Sequence, residues 1–284
     1  MNLPNKYIIQ KGWQGFGDRL QCLSYCVSIA KTYNRILYVD WRDRIWTHDD
    51  KDFHSYFYFT GLNYIEKFES VQGKTVHPEF WDGILHKNSD DWAHGIRQWT
   101  ELGLDHFPDH DIWVHNSIGF RRWDFGVLAK HLRLVPEIAK AVAMLMKDFE
   151  PNEPVVHLRG TDKQFSEERW KELRGLAPVA QIVSDDARLV NRWMEESPTS
   201  RLLSDTLVSG GGGGHLMSAK DIGSMTKHRM NIRLLADFLI IGSAKQAYGL
   251  VTDSCFFEMA RSFADAGGIE GLFNQQPKSA WDAT

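Results

Sequence analysis

The first forty residues constrain the fold most strongly, because a strand, a glycine-rich turn, a helix and a second strand follow one another there. Residues 7–9 form a short apolar run, and apolar side chains recur at helical spacing over residues 19–30. Residues 36–39 form another apolar run, which is typical of a buried strand. This βαβ order predicts a parallel pair of strands joined by a right-handed crossover.

The second half of the chain alternates strands and helices again. Pro151 and Pro154 punctuate the chain, so we expect an N-terminal domain of residues 1–150 and a C-terminal domain of residues 151–284. Strand patterns at 155–158, 180–183, 201–203 and 247–251 alternate with helical patterns at 187–194, 230–241 and 255–263. The expected fold class is therefore α/β, with two Rossmann-like domains that face a central cleft.

The stretch between these regions is harder to interpret. Residues 41–125 are crowded with aromatic side chains and fit no single period, although 112–114 read as a strand. Residues 128–149 carry a helical pattern, with Pro136 near a helix start.

Composition excludes several classes of protein. The 284 residues include 33 Lys and Arg against 37 Asp and Glu, and a net charge of −4 argues against general nucleic-acid binding. The three cysteines suggest no disulfide framework, and we expect Cys22 and Cys26 to be core thiols in a reducing compartment. The longest apolar run, 238–241, is too short to span a bilayer, and residues 1–11 lack a signal-peptide pattern. We expect a cytoplasmic protein with no transmembrane segment.

The glycine-rich turn is the first candidate site. Gly12, Gly15 and Gly17 follow a strand and open a helix, where a ligand can approach the backbone and helix N–H groups face an anion. The spacing is G-x-x-G-x-G, which is neither the dinucleotide fingerprint nor a P-loop. The alternative is a tight turn that binds no ligand.

The second candidate site follows the strand at 155–158. Arg159 offers a planar fork and Lys163 a point charge, and both suit phosphate oxygens at the carboxyl end of a parallel strand. The alternative is a polar turn held by a contact between an arginine and an aspartate.

Two further strand ends carry polar residues. After the strand at 180–183, Asp185 and Asp186 can accept N–H groups from a base such as guanine, or cap the next helix. After the last strand, Ser254 and the N–H groups that follow can hold a diphosphate, or cap their own helix.

Other signals are weaker. Asp109, His110 and Asp111 match a D-x-D metal pattern, but a chain with 37 acidic residues and 12 histidines produces such spacing by chance, so we expect no metal site. No H-E-x-x-H, G-x-S-x-G or C-x-x-C motif is present. We interpret the glycine run at 210–214 as a loop that covers the bound ligand.

Taken together, these segments resemble the α-1,6-fucosyltransferases, most clearly over residues 155–263. The run from His157 to Lys163 resembles the family's H-x-R-x-T-D-K motif, and residues 184–189 resemble its T-D-D segment. Residues 253–261 resemble its S-S-x-x segment, and residues 15–20 are similar to G-x-G-[ND]-R-L. The four motifs occur in the family's order.

The resemblance implies a fold and a reaction. The fold would be GT-B, with the donor held mainly by the C-terminal domain. The enzyme would be an inverting glycosyltransferase that moves fucose from GDP-fucose to a glycan or glycolipid hydroxyl, without a metal or other cofactor. By position alone, the N-terminal domain and its aromatic stretch would form the acceptor side.

The resemblance also assigns roles to residues. Arg159 would offset charge on the departing GDP, Lys163 would neutralise charge near the reacting centre, and Glu167 would be the general base. The donor-binding set comprises Gly15, Gly17, Asp18, Arg19, His157, Arg159, Asp162, Asp186, Ser254, Cys255 and Phe256. The chain departs from the family at Gly160, where a second basic residue is common, and Glu168 adjoins the proposed base.

Three alternatives stay open. The same fold can use another nucleotide-sugar donor, or bind sugars or nucleotides without catalysis. A nicotinamide oxidoreductase is disfavoured because its glycine spacing is different.

Overall fold

The computed structural model describes residues 6–43, 46, 51–68, 73–87, 109–116, 124–160, 164–205, 226–252 and 254–274. The chain divides into two compact units. The first unit comprises Met1–Val135 and Ala266–Thr284, and the second comprises Pro136–Asp265.

The described elements have these bounds. The strands are β1 (Tyr7–Lys11), β2 (Ile36–Asp40), β3 (Phe57–Phe59), β4 (Tyr64–Ile65), β5 (Val76–His77), β6 (Ile112–His115), β7 (Leu132–Leu134), β8 (Val155–Leu158), β9 (Gln181–Ser184), β10 (Arg201–Leu202) and β11 (Ala247–Gly249). The helices are α1 (Phe16–Thr32), α2 (Gly126–His131), α3 (Pro136–Leu145), α4 (Glu167–Leu176), α5 (Ala187–Glu196), α6 (Lys227–Ser243), α7 (Cys255–Asp265) and α8 (Gly268–Phe273). Short 3-10 turns lie at Phe53–Ser55 and Glu79–Trp81.

The first unit is built on a parallel sheet with strand order β4-β2-β1-β6-β5. The predicted βαβ start is confirmed, since β1 pairs with β2 in parallel and α1 connects them. The order runs outward from β1 to β2 and β4 on one side, and to β6 and β5 on the other. The direction of winding therefore reverses between β1 and β6.

Aromatic side chains fill much of the core of the first unit. Most described Trp, Tyr and Phe side chains of the aromatic stretch are buried, namely Trp41, Trp46, Phe53, Tyr56, Phe57, Tyr58, Phe59, Trp81, Trp113 and Phe125, whereas Tyr64, Phe68 and Phe80 are half-buried. Phe57 stacks on Phe53 and on Phe16 of α1, which joins this cluster to the sheet's crossover helix. Cys22 and Cys26 are buried in α1, as expected.

The second unit is built on a parallel sheet with strand order β10-β9-β8-β11. Trp170 of α4 and Trp193 of α5 pack with Val156 and Ile182 in its core. The helix α3, which precedes the expected boundary at residue 150, packs with α6 of this unit. The helix α8, near the C-terminal end, packs with α2 and β7 of the first unit.

The pattern over 128–149 is not one helix. The strand β7 interrupts it and pairs antiparallel with β3, from Leu132 opposite Phe59 to Leu134 opposite Phe57. Pro136 begins α3, and the residue before a proline is biased towards extended backbone, so the break falls where the chain chemistry favours it.

The described helices include none with the length and apolar character that crossing a membrane requires.

Candidate functional site

The topology of the second sheet marks one place for a ligand. From β8 the chain winds through α4 to β9 and through α5 to β10, and then returns through α6 to β11 on the other side of β8. Open parallel sheets bind ligands at the carboxyl ends of the strands where the winding reverses. Arg159 follows β8 and Ser254 follows β11, so two of the predicted motifs flank this switch point. We call the space between them the crevice.

Ring contacts bring the two sides of the crevice together. His157, the third residue of β8, has 6% of its surface exposed. Its ring lies parallel to that of Phe257 at 6.1 Å and tilted against that of Phe256 at 5.7 Å. The predicted donor residues His157 and Phe256 are therefore neighbours.

The first turn of α7 forms one wall of the crevice. Ser254 is buried, and its Oγ lies 3.5 Å from the backbone N of Phe257, where it caps the start of the helix. Cys255 and Phe256 are half-buried in the first turn, and Cys255 is a free thiol. A helix start of this kind presents N–H groups and the positive end of the helix dipole to an anion.

The other wall follows β8. Arg159 and Gly160 are half-buried. A Cβ on Gly160 would lie 2.5 Å from Cδ1 of Leu189 and 3.1 Å from Oδ2 of Asp186, so a side chain there requires the Leu189 side chain to shift. Gly160 therefore packs closely against the first turn of α5. Asp162 and Lys163 lie outside the described residues.

Asp186 serves α5 in this structure. It is fully buried, and its Oδ1 accepts from the backbone N of Arg188 at 2.9 Å and of Leu189 at 3.4 Å. Its Oδ2 pairs with the guanidinium of Arg188 at 2.8 Å. Burial alone raises the pKa of Asp186, but these hydrogen bonds outweigh it and hold the pKa below its usual value. Helix capping, one of the two alternatives from the sequence, is thus observed, while contact with a base stays a prediction.

A buried hydrogen-bond chain joins three strand ends, and the motifs did not indicate it. The Oγ of Ser204 donates to Asp237 of α6 at 3.1 Å and accepts from the backbone N of Ser184 at 2.9 Å. The Oγ of Ser184 donates to the carbonyl of Leu158 at 2.7 Å. The chain therefore leads from α6 to the residue before Arg159.

Asp237, which begins this hydrogen-bond chain, has a raised pKa. Burial, together with the charge of Asp185, raises its pKa to about 6, against the opposing charge and hydrogen bonds of Arg233 and the hydrogen bond of Ser204. A carboxyl perturbed in this way, bonded to a serine that follows a strand, is a candidate for a functional role. The signal in the sequence was an Arg and an Asp four residues apart inside an otherwise apolar helical pattern.

The predicted base, Glu167, begins α4. Its two carboxylate oxygens accept from the guanidinium of Arg192 on α5 at 2.8 and 2.6 Å, and its side chain is 59% exposed. The hydrogen bond from Arg192 lowers the pKa of Glu167. The carboxylate is in the ionised form that a base requires, but the ion pair reduces its affinity for a proton. Glu168 is the next residue of the same turn.

In the first unit, the glycine turn is built around a buried ion pair. Arg19 donates two hydrogen bonds to Asp43 at 2.7 and 2.8 Å and one to the carbonyl of Gln14 at 3.0 Å. A Cβ on Gly12 would lie 2.1 Å from Asp43 Oδ2 and 2.2 Å from Arg19 Nη1, so only glycine fits. Arg19, predicted to bind the donor, has its guanidinium occupied within this unit.

The other predicted residues of the turn lie at the start of α1. Gly15 is the N-cap, and no side chain caps the helix there. Gly17 is buried in the first turn, and Asp18 follows it, half-buried. The turn comes directly after β1, beside the place where the winding of the first sheet reverses.

A buried lysine, which the sequence motifs did not single out, lies at the same edge of the first sheet. Lys11 ends β1, and its ammonium group donates to Asp40 Oδ2 at 2.5 Å, to the carbonyl of Leu85 at 2.5 Å and to that of Lys87 at 2.9 Å. Burial lowers the pKa of Lys11, although Asp40 opposes the shift. The signal was a lysine at the end of an apolar strand.

The D-x-D pattern has a structural explanation. Asp109 pairs with Lys6, and Asp111 accepts from the backbone N and the hydroxyl of Thr75 at 2.9 and 3.0 Å. Within the part of the chain that the structure describes, no three His, Cys, Asp or Glu side chains are grouped so that they could hold a metal ion.

The fold defined by these two sheets is the GT-B fold of solved fucosyltransferases, which confirms the predicted fold class. The fucosyltransferase NodZ from Bradyrhizobium superposes with a TM-score of 0.63 at 16% identity, over 90% of this chain and 92% of that one. NodZ α-1,6-fucosyltransferase co-crystallised with GDP gives 0.60 at 15% identity, over 90% and 91%. POFUT1 in complex with GDP gives 0.51 at 14% identity, over 93% and 97%. No protein-family model and no curated protein sequence matches the chain.

Proposed function

We propose that this protein is an inverting glycosyltransferase that transfers fucose from GDP-fucose to a hydroxyl group of a glycan or glycolipid. The observation that carries the proposal is the crevice at the switch point of the second sheet. There the ring of His157 on one side contacts that of Phe256 on the other, and Arg159 and Ser254 follow the same two strands. The solved neighbours of this fold, NodZ and POFUT1, include GDP complexes.

The proposed chemistry follows from the groups at the crevice. The acceptor oxygen forms a bond to the anomeric carbon, and the bond from that carbon to the phosphate oxygen breaks, so GDP leaves with the electron pair. Arg159 and the first turn of α7 offset the charge that develops on the diphosphate. Glu167 takes the proton of the acceptor hydroxyl.

The remaining predictions belong to this proposal. We propose that the reaction needs no metal or other cofactor, because cationic side chains and a helix start can neutralise the leaving diphosphate. We propose that the first unit contributes the acceptor side. Asp162 and Lys163 are proposed to lie near the reacting centre, by their place in the motif, and a cytoplasmic location stays a prediction.

Arg159→Ala tests the proposal. We expect GDP release from GDP-fucose, measured in EDTA with a mixture of glycan and glycolipid acceptors, to fall by about 100-fold or more, since one preorganised donor to developing charge is worth that much. Arg201→Ala is the matched control. Arg201 is the first residue of β10, at the amino end of a strand, whereas Arg159 follows the carboxyl end of β8, and Arg201 pairs with Glu153. Full activity in Arg159→Ala would refute the proposal.

A further inference from the structure

One side chain of α4 reaches the strand on the far side of β8. Arg169 lies in the first turn of α4, which connects β8 to β9, whereas β11 lies on the opposite side of β8. Its Nη2 donates to the carbonyl of Gly249, the last residue of β11, at 2.7 Å. The guanidinium therefore joins two elements that the switch point separates.

The helix end of this contact is held in place. The backbone N of Arg169 donates to the capping Oγ of Ser166 at 3.1 Å, and its Nη1 donates to Glu172 at 2.8 Å. Glu172 is 57% exposed, so that ion pair adds little. The bond to Gly249 adds a polar tie from α4 to β11, beside the packing of Trp170 in the core.

The strand end is equally confined. A Cβ on Gly249 would lie 3.2 Å from the carbonyl of Val251 and 3.4 Å from the ring of Phe257, so the chain turns tightly there. The next backbone N, that of Leu250, donates to the carbonyl of His157 at 3.0 Å. A shift of Gly249 therefore moves the segment that leads into Ser254 and α7.

We propose that Arg169 is a positioning residue that fixes the distance between the two walls of the donor crevice. It sets the loop after β11 against the start of α4, so that the first turn of α7 faces the diphosphate. This inference rests on the proposed function. No contact of Arg169 with the donor is required.

The test compares three variants with the wild type. Arg169→Met keeps the length of the side chain and removes its donors, Arg169→Lys keeps one donor group, and Glu172→Gln removes only the exposed partner. Isothermal titration measures the affinity of the crevice for GDP. Hydrogen–deuterium exchange measures how readily the backbone of residues 250–257 opens without ligand. Thermal unfolding of each variant shows whether the fold is kept.

We expect Arg169→Met to weaken GDP binding by about tenfold or more, as for a lost hydrogen bond to a charged group, and to speed exchange over residues 250–257. Arg169→Lys should recover part of both effects, and Glu172→Gln should match the wild type. GDP affinity or exchange in Arg169→Met equal to that of the wild type would overturn the inference. Absence of GDP binding by the wild type would instead overturn the proposed function. The exchange rates of Arg169→Met and the wild type would then decide alone whether the bond from Arg169 to Gly249 holds the segment after β11.

Discussion

At the scale of single residues, three buried cationic side chains each form an ion pair with an aspartate. Lys11 pairs with Asp40, Arg19 with Asp43, and Arg233 with Asp237. Burying a charge is costly unless a partner and hydrogen bonds compensate it, so such pairs shape the turns that carry a ligand site. A charged residue after a strand therefore indicates either a ligand or an internal partner.

Asp237 gives a pH dependence that can be measured. Its pKa is raised from 3.8 to about 6 in the folded protein, so the folded state favours the protonated carboxyl. The stability that Asp237 contributes is present below pH 3.8 and is lost as the pH rises through 6. We expect Asp237→Asn to gain about 1 kcal/mol relative to the wild type between pH 5 and pH 7, measured by urea unfolding.

The control is Asp205→Asn, because Asp205 is an exposed carboxyl, and its ion pair with Arg229 has a distance of 3.5 Å. The free energy of unfolding of Asp205→Asn, relative to that of the wild type, should change less over the same pH interval than that of Asp237→Asn. A stability difference for Asp237→Asn that does not vary with pH would show that Asp237 is not the titrating group.

At the scale of elements, the ion pair between α4 and α5 bears on the chemistry. An exposed pair such as that of Glu167 with Arg192 adds little to stability, so we expect the fold to survive when it is broken. If Glu167 is the base, Glu167→Gln should lower kcat by about 10²–10⁴-fold with unchanged thermal unfolding.

Two controls separate the base from the ion pair. Arg192→Met breaks the same pair but keeps the carboxylate, so most activity should remain. Glu168→Gln changes the neighbouring carboxyl and should also stay active. Full activity in Glu167→Gln, with a loss in Glu168→Gln, would move the base by one residue, and full activity in both would remove it from α4.

Element types were predictable from the sequence where one period dominates. The β1–α1–β2 unit and the strands β8 and β9 have apolar runs whose local pattern and buried position agree. The strand β7 was not predictable, because Leu132–Leu134 continue a helical pattern and are extended only through pairing with β3. Tertiary pairing overrides local preference there.

The site was predictable in position more than in detail. Strand ends in parallel sheets converge, and His157 and Phe256, both in the donor-binding set that the resemblance implies, are neighbours in the structure. The partner of Arg19 was not predictable, since Asp43 lies 24 residues away along the chain. For Asp186 the sequence left capping and ligand binding open, and the structure shows the cap. The hydrogen bond from Arg169 to Gly249 joins residues 80 positions apart, so no periodic pattern in the sequence could predict it.

At the scale of the whole molecule, each of the two units carries its own parallel sheet with its own point of reversal. In both sheets a motif found in the sequence lies beside that point, the glycine turn in the first and the residues around Arg159 and Ser254 in the second. The two units together have the fold of the solved fucosyltransferases. The donor-binding role of the second unit is the claim on which the rest of the proposal depends.

Isothermal titration of the full chain with GDP, UDP and NAD in EDTA tests that claim most directly. We predict that GDP binds without a metal and more tightly than UDP or NAD, because the crevice offers Arg159 and a helix start to the diphosphate and the predicted donor-binding set assigns Asp186 to the base. Absence of GDP binding, or a preference for UDP or NAD, would contradict the assignment of GDP-fucose as the donor.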